Sequence, residues 1–387
     1  MPHEGLSMKL GVPNQAAAGE TRVATVPDVV RRLSKKGVEV LVESGAGAHA
    51  HVPDADFEEA GATIASAEQV WGADAVAFVT QPGAAEIERL QRGSVVMGFL
   101  SPLTDTETAR ALASAGVTSF AMEAIPRITR AQSMDALSSQ STVSGYRAVL
   151  IAAEELDRFF PMLTTAAGTI KPATVLVLGA GVAGLQAIAT ARRLGAVVTG
   201  YDVRAVVREQ VESLGARFLE LDLEADAEGA GGYAKALDED QQRRQQEAMA
   251  EAAGKFDVII TTALIPGRPA PKLLIEKAVE NMRPGSVIVD LAAITGGNCE
   301  LTEAGQTVER HDVKIIGPRD LAAEMPTHAS QLYARNIQSL VELMVGEEGA
   351  LELNWEDEII AGACITRDGE IVHEGAKQAA GAPASQA

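Results

Sequence analysis

The chain has 387 residues, and its 53 acidic side chains outnumber 33 basic ones, which gives a formal charge of −20. This balance argues against nucleic acids and anionic membrane surfaces as partners. Hydrophobic residues make up 47% and aromatic residues 4% of the chain, which favours two α/β domains with small-residue packing over a β-sandwich. Cys299 and Cys364 predict free thiols in a reducing compartment. Neither a signal peptide nor a membrane span is predicted, so we expect a soluble protein.

The first half of the chain alternates short apolar runs with amphipathic segments, a pattern typical of a mostly parallel α/β domain. Strands are predicted at residues 8–12, 38–42, 75–80, 94–100 and 117–121, and helices at 27–36, 86–90 and 105–115. A long amphipathic helix is predicted over residues 144–160, as a connector to a second α/β domain.

The second domain repeats this alternation. Its strands are predicted at residues 174–178, 196–201, 217–220, 258–262, 287–291 and 313–316. A long helix over residues 329–345 would return the chain to the first domain. The last residues, 375–387, are rich in Ala, Gly, Gln and Ser, and we predict a disordered tail there.

A glycine-rich turn between the strand at 174–178 and the following helix is the most informative motif. In this setting G-x-G-x-x-G is the dinucleotide-binding fingerprint: Gly179 permits the tight turn, Gly181 lets a pyrophosphate approach, and Gly184 lets the helix pack closely. Asp202, at the end of the next strand, would accept hydrogen bonds from ribose hydroxyls and repel a 2′-phosphate, which favours NAD(H). Arg204 keeps NADP(H) open as an alternative, because an arginine here can receive the 2′-phosphate.

These patterns together predict two Rossmann-like, doubly wound parallel-sheet domains with a cleft between them. Residues 1–139 and 327–374 would form the first domain, and residues 140–326 the second, NAD-binding domain.

A long insertion at residues 221–253 interrupts the second domain, with a glycine-rich run before a charged stretch. One interpretation is a solvated surface loop followed by a helix. The other is a mobile lid that folds Tyr233 over a bound nucleotide, with an exposed charged helix behind it.

Residues 127–146, at the predicted domain junction, combine a guanidinium, amides, a carboxylate and hydroxyls. Clefts between α/β domains are where cofactors and substrates meet. Arg127 and Asp135 could pair, whereas Gln132 and Ser138 could hydrogen-bond a nicotinamide carboxamide or its ribose. A polar linker that caps the next helix is the structural alternative.

The pattern R-x-x-x-x-Q-x-x-D-A-L-S-S-Q-S over residues 127–141 resembles the NAD(H)-binding domain I of proton-translocating nicotinamide nucleotide transhydrogenase, the soluble portion of its alpha subunit. The resemblance covers nearly the whole chain. Its further motifs lie at residues 11–13, 20–27, 42–47, 179–184, 201–204, 231–235, 261–271 and 290–292.

This resemblance implies a homodimer that binds NAD(H) and exchanges hydride directly with NADP(H) on a separate partner component. It also implies that a membrane subunit couples the exchange to proton translocation. The chain would then be cytoplasmic, held peripherally at the inner membrane through its partner subunits.

The resemblance also implies the site residues. Arg127, Gln132, Asp135 and Ser138 would orient the nicotinamide half, with Gln132 the most closely coupled to hydride transfer. The implied cofactor-binding residues are Gly179, Gly181, Val182, Ala183, Gly184, Tyr201, Asp202, Val203, Arg204, Tyr233, Ala263 and Leu264.

Two other functions remain open. Alanine dehydrogenase is a related family, but Thr80 and Ser101 stand where its lysine and histidine are expected, and neither is an acid or base near neutral pH. Arg22, at a position that binds substrate carboxylate in that family, fits less easily with a transhydrogenase. A non-catalytic NAD(H)-sensing module is the second alternative. No metal site is predicted, because His49 and His51 lack further ligand spacing.

Overall fold

The computed structural model describes residues 7–221, 239–265, 267–346 and 349–381. The chain divides into two units, of which the first comprises residues Met1–Gln140 and Ala323–Ala387 and the second Ser141–Ala322. The sequence expectation placed the divisions at 139/140 and 326/327. Each unit is built around its own sheet and hydrophobic core.

Strands occur throughout the described chain. They are β1 (Lys9–Val12), β2 (Glu39–Glu43), β3 (Thr63–Ala65), β4 (Ala75–Ala77), β5 (Val95–Gly98), β6 (Thr118–Ala121), β7 (Leu163–Thr165), β8 (Gly168–Ile170), β9 (Thr174–Leu178), β10 (Val197–Tyr201), β11 (Arg217–Phe218), β12 (Val258–Thr261), β13 (Val287–Asp290), β14 (Thr307–Arg310), β15 (Val313–Ile316), β16 (Cys364–Arg367) and β17 (Glu370–Ile371).

Helices connect most of these strands. They are α1 (Pro27–Lys35), α2 (Asp54–Glu59), α3 (Ala67–Trp71), α4 (Ala84–Ile87), α5 (Thr106–Ala115), α6 (Ala136–Glu155), α7 (Val182–Arg193), α8 (Arg208–Ser213), α9 (Glu239–Ala253), α10 (Glu276–Glu280), α11 (Pro326–Met344), α12 (Glu358–Ala363) and α13 (Glu374–Gly381).

The sheet of the first unit has the strand order β17-β16-β6-β5-β4-β1-β2-β3. Strands β1 to β6 run parallel to their neighbours, whereas β16 pairs antiparallel with β6 and with β17. Val95 and Met97 lie in one core cluster and Val96 in another, so β5 is buried on both faces. Burial on both faces explains why such strands appear in the sequence as continuous apolar runs.

The sheet of the second unit has the order β11-β10-β9-β12-β13-β15-β14 and is parallel except for β14. Val175 and Val177 of β9 lie in one core cluster, and Leu176 and Leu178 lie in another. Strand order reverses at β9, which lies between β10 and β12. The carboxyl end of β9 is therefore a topological switch point, where open α/β sheets bind ligands.

A separate antiparallel hairpin, formed by β7 and β8, precedes β9. Residues 164–170 are exposed. Apolar side chains here and just before the hairpin face solvent: Ile170 is 49% exposed, Met162 62% and Phe159 52%. The sequence patterns did not predict this hairpin.

Helix α6 begins at Ala136 and ends at Glu155, whereas the sequence predicted a helix over 144–160. The Asp135 carboxylate accepts a hydrogen bond from the Ser138 N–H (2.9 Å) and so caps an earlier helix start.

The chain end also differs from the sequence expectation. Helix α13 covers Glu374–Gly381, where we predicted disorder. Ala376 is buried in a core cluster of the first unit, and the Lys377 ammonium lies 3.0 Å from Glu374. Burial of this side chain stabilises a helix that composition alone does not reveal, and residues 382–387 lie outside the described chain.

Helix α9 differs from the exposed charged helix that the lid interpretation predicted. Met249, Ala250 and Ala253 are buried in the core of the second unit. Residues 222–238, which include Tyr233, lie outside the described residues, so the expected lid is not described. None of the described helices combines the length and apolar character needed to cross a bilayer.

Candidate cofactor-binding site

The first and last fingerprint glycines are required by the fold. Gly179 has φ +95°, a left-handed conformation, and a Cβ there would lie 2.6 Å from the Thr262 hydroxyl. A Cβ on Gly184 would lie 1.8 Å from the Gly179 carbonyl oxygen. Both positions therefore need glycine, with or without a bound nucleotide.

Gly181 is different, because the fold gives no reason for its missing side chain. Its φ is −77°, it is exposed, and an added Cβ would meet no atom within 4 Å. It is the N-cap residue of α7 and cannot cap the helix with a side chain, which leaves N–H groups of the first turn for an anion. The space in front of Gly181 is where the fingerprint places a pyrophosphate. Val182, exposed, and Ala183, half-buried, follow as the first residues of α7.

Asp202 lies at the carboxyl end of β10 and contacts the fingerprint turn directly. Its carboxylate accepts a hydrogen bond from the Ala180 N–H (2.8 Å). Arg204 also binds it, through its N–H (2.9 Å), Nε (2.9 Å) and Nη2 (2.8 Å). The Asp202 side chain is only 5% exposed. Arg204 thus offsets the Asp202 charge, so repulsion of a 2′-phosphate is weaker than an isolated carboxylate would give.

Tyr201, next to Asp202, is anchored from the inserted segment. Its hydroxyl accepts a hydrogen bond from Nε2 of Gln245 (2.8 Å), which lies on α9 and is 2% exposed. Burial raises the pKa of Tyr201, the Gln245 hydrogen bond opposes this, and the Asp202 charge adds to it. Val203 packs against the core below. Gln245 was missed in the sequence because its segment was interpreted as solvated, although the apolar spacing around Met249 could have indicated a buried face.

The loop after β12 is fixed by a buried amide. Asn298, fully buried, accepts a hydrogen bond from the Ala263 N–H (3.0 Å) and donates to the carbonyl oxygens of Ala263 (2.9 Å) and Pro271 (2.8 Å). Leu264 follows and is 44% exposed. Asp290, at the end of β13, accepts a hydrogen bond from the Cys299 N–H (3.0 Å). Because Cys299 directly follows Asn298, this hydrogen bond also fixes the loop that contains Asn298. No sequence pattern singled out Asn298.

Exposed apolar side chains follow the carboxyl ends of four adjacent strands. In sheet order they are Val206 after β10 (58% exposed), Val182 after β9 (42%), Leu264 after β12 (44%) and Ile294 after β13 (54%). An apolar surface of this kind can accept the faces of planar rings. Val182 and Leu264 were predicted site residues, whereas Val206 and Ile294 were not.

In the first unit, the predicted nicotinamide-orienting residues lie on one short segment. Gln132 is exposed on a 3₁₀ helix, Thr129–Met134, and Arg127 is exposed just before it. Asp135 accepts hydrogen bonds from the N–H (2.9 Å) and the hydroxyl (2.5 Å) of Ser138, so it caps α6. The segment therefore serves the fold through Asp135 and leaves Gln132 at the surface.

The two residues at the positions compared with alanine dehydrogenase, Thr80 and Ser101, each bind a glutamate, Thr80 through its hydroxyl and Ser101 through its backbone N–H. The Thr80 hydroxyl donates to Glu20 (2.7 Å). Ser101 has φ +49°, and its N–H and that of Leu100 (2.9 Å) donate to Glu123. The second Glu123 oxygen is buried without a hydrogen-bond partner among the described residues. Burial raises the pKa of Glu123, against the lowering effect of these backbone hydrogen bonds.

Arg22 is held inside the first unit. Its guanidinium binds Glu20 through Nε (2.8 Å) and Nη2 (2.9 Å), and its Nη1 donates to Gln140 (3.0 Å). Arg22 is 7% exposed and Glu20 6%. Burial would raise the pKa of Glu20, but the hydrogen bonds and charge of Arg22, with a hydrogen bond from Thr80, lower it below its ordinary value. Arg22 thus has a structural role, which the sequence left open.

Two family models match this chain: the alanine dehydrogenase/PNT N-terminal domain over residues 11–144, and the alanine dehydrogenase/PNT C-terminal domain over residues 148–374. The chain belongs to the alanine dehydrogenase/PNT family.

Several relatives place the chain within the alanine dehydrogenase/PNT family. An NAD(P) transhydrogenase alpha-subunit polypeptide of Rhodospirillum rubrum, named as the first portion of a divided subunit, is 50% identical over 376 residues, covering 95% of this chain and 98% of that protein. The crystal structure of transhydrogenase from Sinorhizobium meliloti is 45% identical, covers 94% of this chain and 100% of that one, and has a TM-score of 0.86. Alanine dehydrogenase of Mycobacterium tuberculosis is 32% identical over 332 residues, 82% of each chain.

Three sequence predictions are thereby confirmed for this alanine dehydrogenase/PNT family member. The resemblance to the transhydrogenase alpha subunit holds, and it extends over nearly the whole chain. The fold is α/β with sheets that are largely parallel. The chain is an oxidoreductase of the transhydrogenase-subunit type.

Proposed function

We propose that this chain binds NAD(H) at the carboxyl edge of the second unit's sheet and exchanges hydride directly with NADP(H) on a separate component. The observation that carries the nucleotide site is the open space at Gly181, which the fold does not need and a pyrophosphate does. Asp202 supports NAD(H), because the Ala180 N–H (2.8 Å) holds its carboxylate beside the turn at Gly181, where a carboxylate would accept hydrogen bonds from ribose hydroxyls. Val182 and Leu264 would contact the nucleotide through their exposed apolar surfaces.

Direct hydride exchange fits the chemistry of the first unit better than amino-acid oxidation. Oxidation of an amino acid releases protons and therefore needs an acid or base in reach of the substrate. Thr80 and Ser101 offer hydroxyls instead, and the Thr80 hydroxyl already donates to Glu20. Exchange between two nicotinamide rings needs only orientation and contact distance. We propose that Gln132, Arg127 and the turn at Asp135 and Ser138 supply that orientation.

The partners follow from the same proposal. Proton coupling and the NADP(H) site would belong to other subunits of the complex, since the Rhodospirillum rubrum relative is named as one portion of an alpha subunit. These subunits would hold the chain at the cytoplasmic side of the inner membrane. The hairpin of β7 and β8 supports a homodimer, because Met162, Ile170 and the nearby Phe159 expose apolar surface that a second copy would cover.

The decisive experiment is reduction of an NAD analogue by NADPH, with and without the NADP(H)-binding component from the same organism. We expect turnover only when both components are present. Turnover by this chain alone would contradict the division of sites between two chains. Tight NADH binding without turnover in the presence of the partner would favour the sensing module. Ammonia-dependent oxidation of NADH with pyruvate would favour the alanine dehydrogenase alternative.

A further inference from the structure

Asn336, on α11, joins the two segments that flank Asp135 in the first unit. Its Nδ2 donates to the carbonyl oxygen of Ser133 (2.8 Å), and its Oδ1 accepts from the hydroxyl of Ser139 (2.7 Å). Ser133 directly follows Gln132 in the 3₁₀ helix, and Ser139 lies in the first turn of α6. One side chain therefore fixes both ends of the turn that contains Asp135.

The Asn336 side chain is buried, although Gln132 and Ser133 are exposed. Asn336 is 7% exposed, and Ala131 and Met134, on either side of Gln132 and Ser133, are 1% and 4% exposed. Gln132 thus extends to the surface from a short helix that is fixed on its buried side by the packing of Ala131 and Met134 and by the Asn336 amide. A short 3₁₀ helix has poor hydrogen-bond geometry of its own, so tertiary contacts decide its position.

We propose that Asn336 is a positioning residue for hydride transfer, acting through Gln132. This inference rests on the proposed function, in which Gln132 orients the nicotinamide half. The amide orients the carbonyl of Ser133 and so fixes the backbone from which the Gln132 side chain extends. A displacement of about 1 Å at a reacting group can slow a reaction on the order of 100-fold. The backbone of Gln132 must accordingly be held with similar accuracy.

The first test is Asn336→Leu, which keeps nearly the same shape and removes both hydrogen bonds. We expect hydride transfer with the NADP(H)-binding partner to slow roughly 10- to 100-fold. The NADH dissociation constant should stay within about twofold, because the phosphate-binding turn at Gly181 belongs to the other unit. A variant with unchanged transfer rate would overturn the proposal.

A matched control lies on the same helix. Gln338 is also buried, at 8% exposure, and its Nε2 donates to Glu342 (2.8 Å). Gln338→Leu removes a buried amide of similar size from α11, and the hydrogen bond that it removes goes to Glu342 on the same helix, not to the segment that contains Gln132. It should leave the transfer rate within about twofold. If it slows transfer as much as Asn336→Leu does, the effect is general to α11 and the proposal is wrong.

A double-mutant cycle separates positioning from general stability. If Asn336 acts through Gln132, the combined Asn336→Leu and Gln132→Asn variant should transfer hydride about as slowly as the slower single variant. Multiplicative effects would overturn the proposal. Should Asn336→Leu not fold, Asn336→Ser replaces it in the same cycle with the same outcomes. Failure of the proposed function is distinct, because the wild-type chain and its partner would then show no hydride exchange.

Discussion

Replacement of Gly181 by alanine should separate nucleotide binding from folding. An added methyl group would meet no protein atom within 4 Å, and φ of −77° is open to alanine. The loss of glycine entropy in the unfolded chain should raise the free energy of unfolding by about 0.4–1 kcal/mol, or leave it unchanged. The methyl would, however, keep a phosphate oxygen from the N–H groups at the start of α7.

The expected loss of affinity can be worked from one hydrogen bond. A hydrogen bond to a charged group contributes about 1.5–3 kcal/mol, and about 1.4 kcal/mol corresponds to tenfold in affinity. Loss of one such bond should therefore weaken NADH binding roughly 10- to 100-fold. The assay is titration of NADH by fluorescence or calorimetry, with thermal unfolding measured on the same sample.

Gly184→Ala is the matched control, because it should lower the stability of the fold, which Gly181→Ala should not. Its Cβ would lie 1.8 Å from the Gly179 carbonyl oxygen, so the strand-turn-helix unit must move apart. Such overpacking costs about 1–3 kcal/mol or more and should lower Tm by roughly several degrees. The reasoning is refuted if Gly181→Ala binds NADH within twofold of wild type, or if it loses as much stability as Gly184→Ala.

Three further predictions concern the proposed site and its surroundings. Asp202→Ala should weaken NADH binding roughly 10-fold. It would also leave Arg204 able to bind a 2′-phosphate, so the preference for NADH over NADPH should fall. Competitive titration of both nucleotides would measure this preference, and an unchanged preference would contradict the assignment of Asp202. Gln132→Asn should slow hydride transfer by roughly 10-fold or more, with NADH affinity nearly unchanged. Transfer rates measured by stopped flow would check this, and unaltered rates would show that Gln132 has no part in the mechanism. Burial raises the pKa of Glu123, so the wild type should lose stability as pH rises through that pKa. Glu123→Gln should not, and its Tm relative to wild type should be higher at pH 8 than at pH 4.

Apolar runs and glycine spacing predicted the main architecture of both units. The strands around the fingerprint, β9 and β10, agree with their predicted positions to within a residue. For β9 the reason is its uninterrupted run of β-branched and aliphatic residues, which is typical of a buried parallel strand. The turn at Gly179 was also predicted, since its left-handed backbone conformation strongly favours glycine at this position. These features depend on the residue types within each segment and were therefore predicted from the sequence.

Features that depend on contacts with residues far along the chain were not predicted from the sequence. The first two turns of α6, residues 136–142, are rich in serine and have no apolar periodicity, and only the Asp135 cap shows where the helix begins. Helix α13 depends on burial of Ala376 in the first unit. Gln245 and Asn298 act through hydrogen bonds to residues far along the chain, Tyr201 and Ala263. A single sequence can indicate that such a residue lies on a buried face, as the spacing around Met249 does for Gln245, but it does not show which distant residue is its partner.

The ion pair between Asp202 and Arg204 has a consequence for how quickly a nucleotide leaves. Because Arg204 already donates to both oxygens of this carboxylate, ribose hydroxyls gain hydrogen bonds there largely by exchange with the guanidinium. Exchange releases less free energy than a new interaction, and differences in affinity appear mainly in the dissociation rate. Under the proposed function, a short residence time would suit a subunit that must unload and reload its nucleotide in every catalytic cycle.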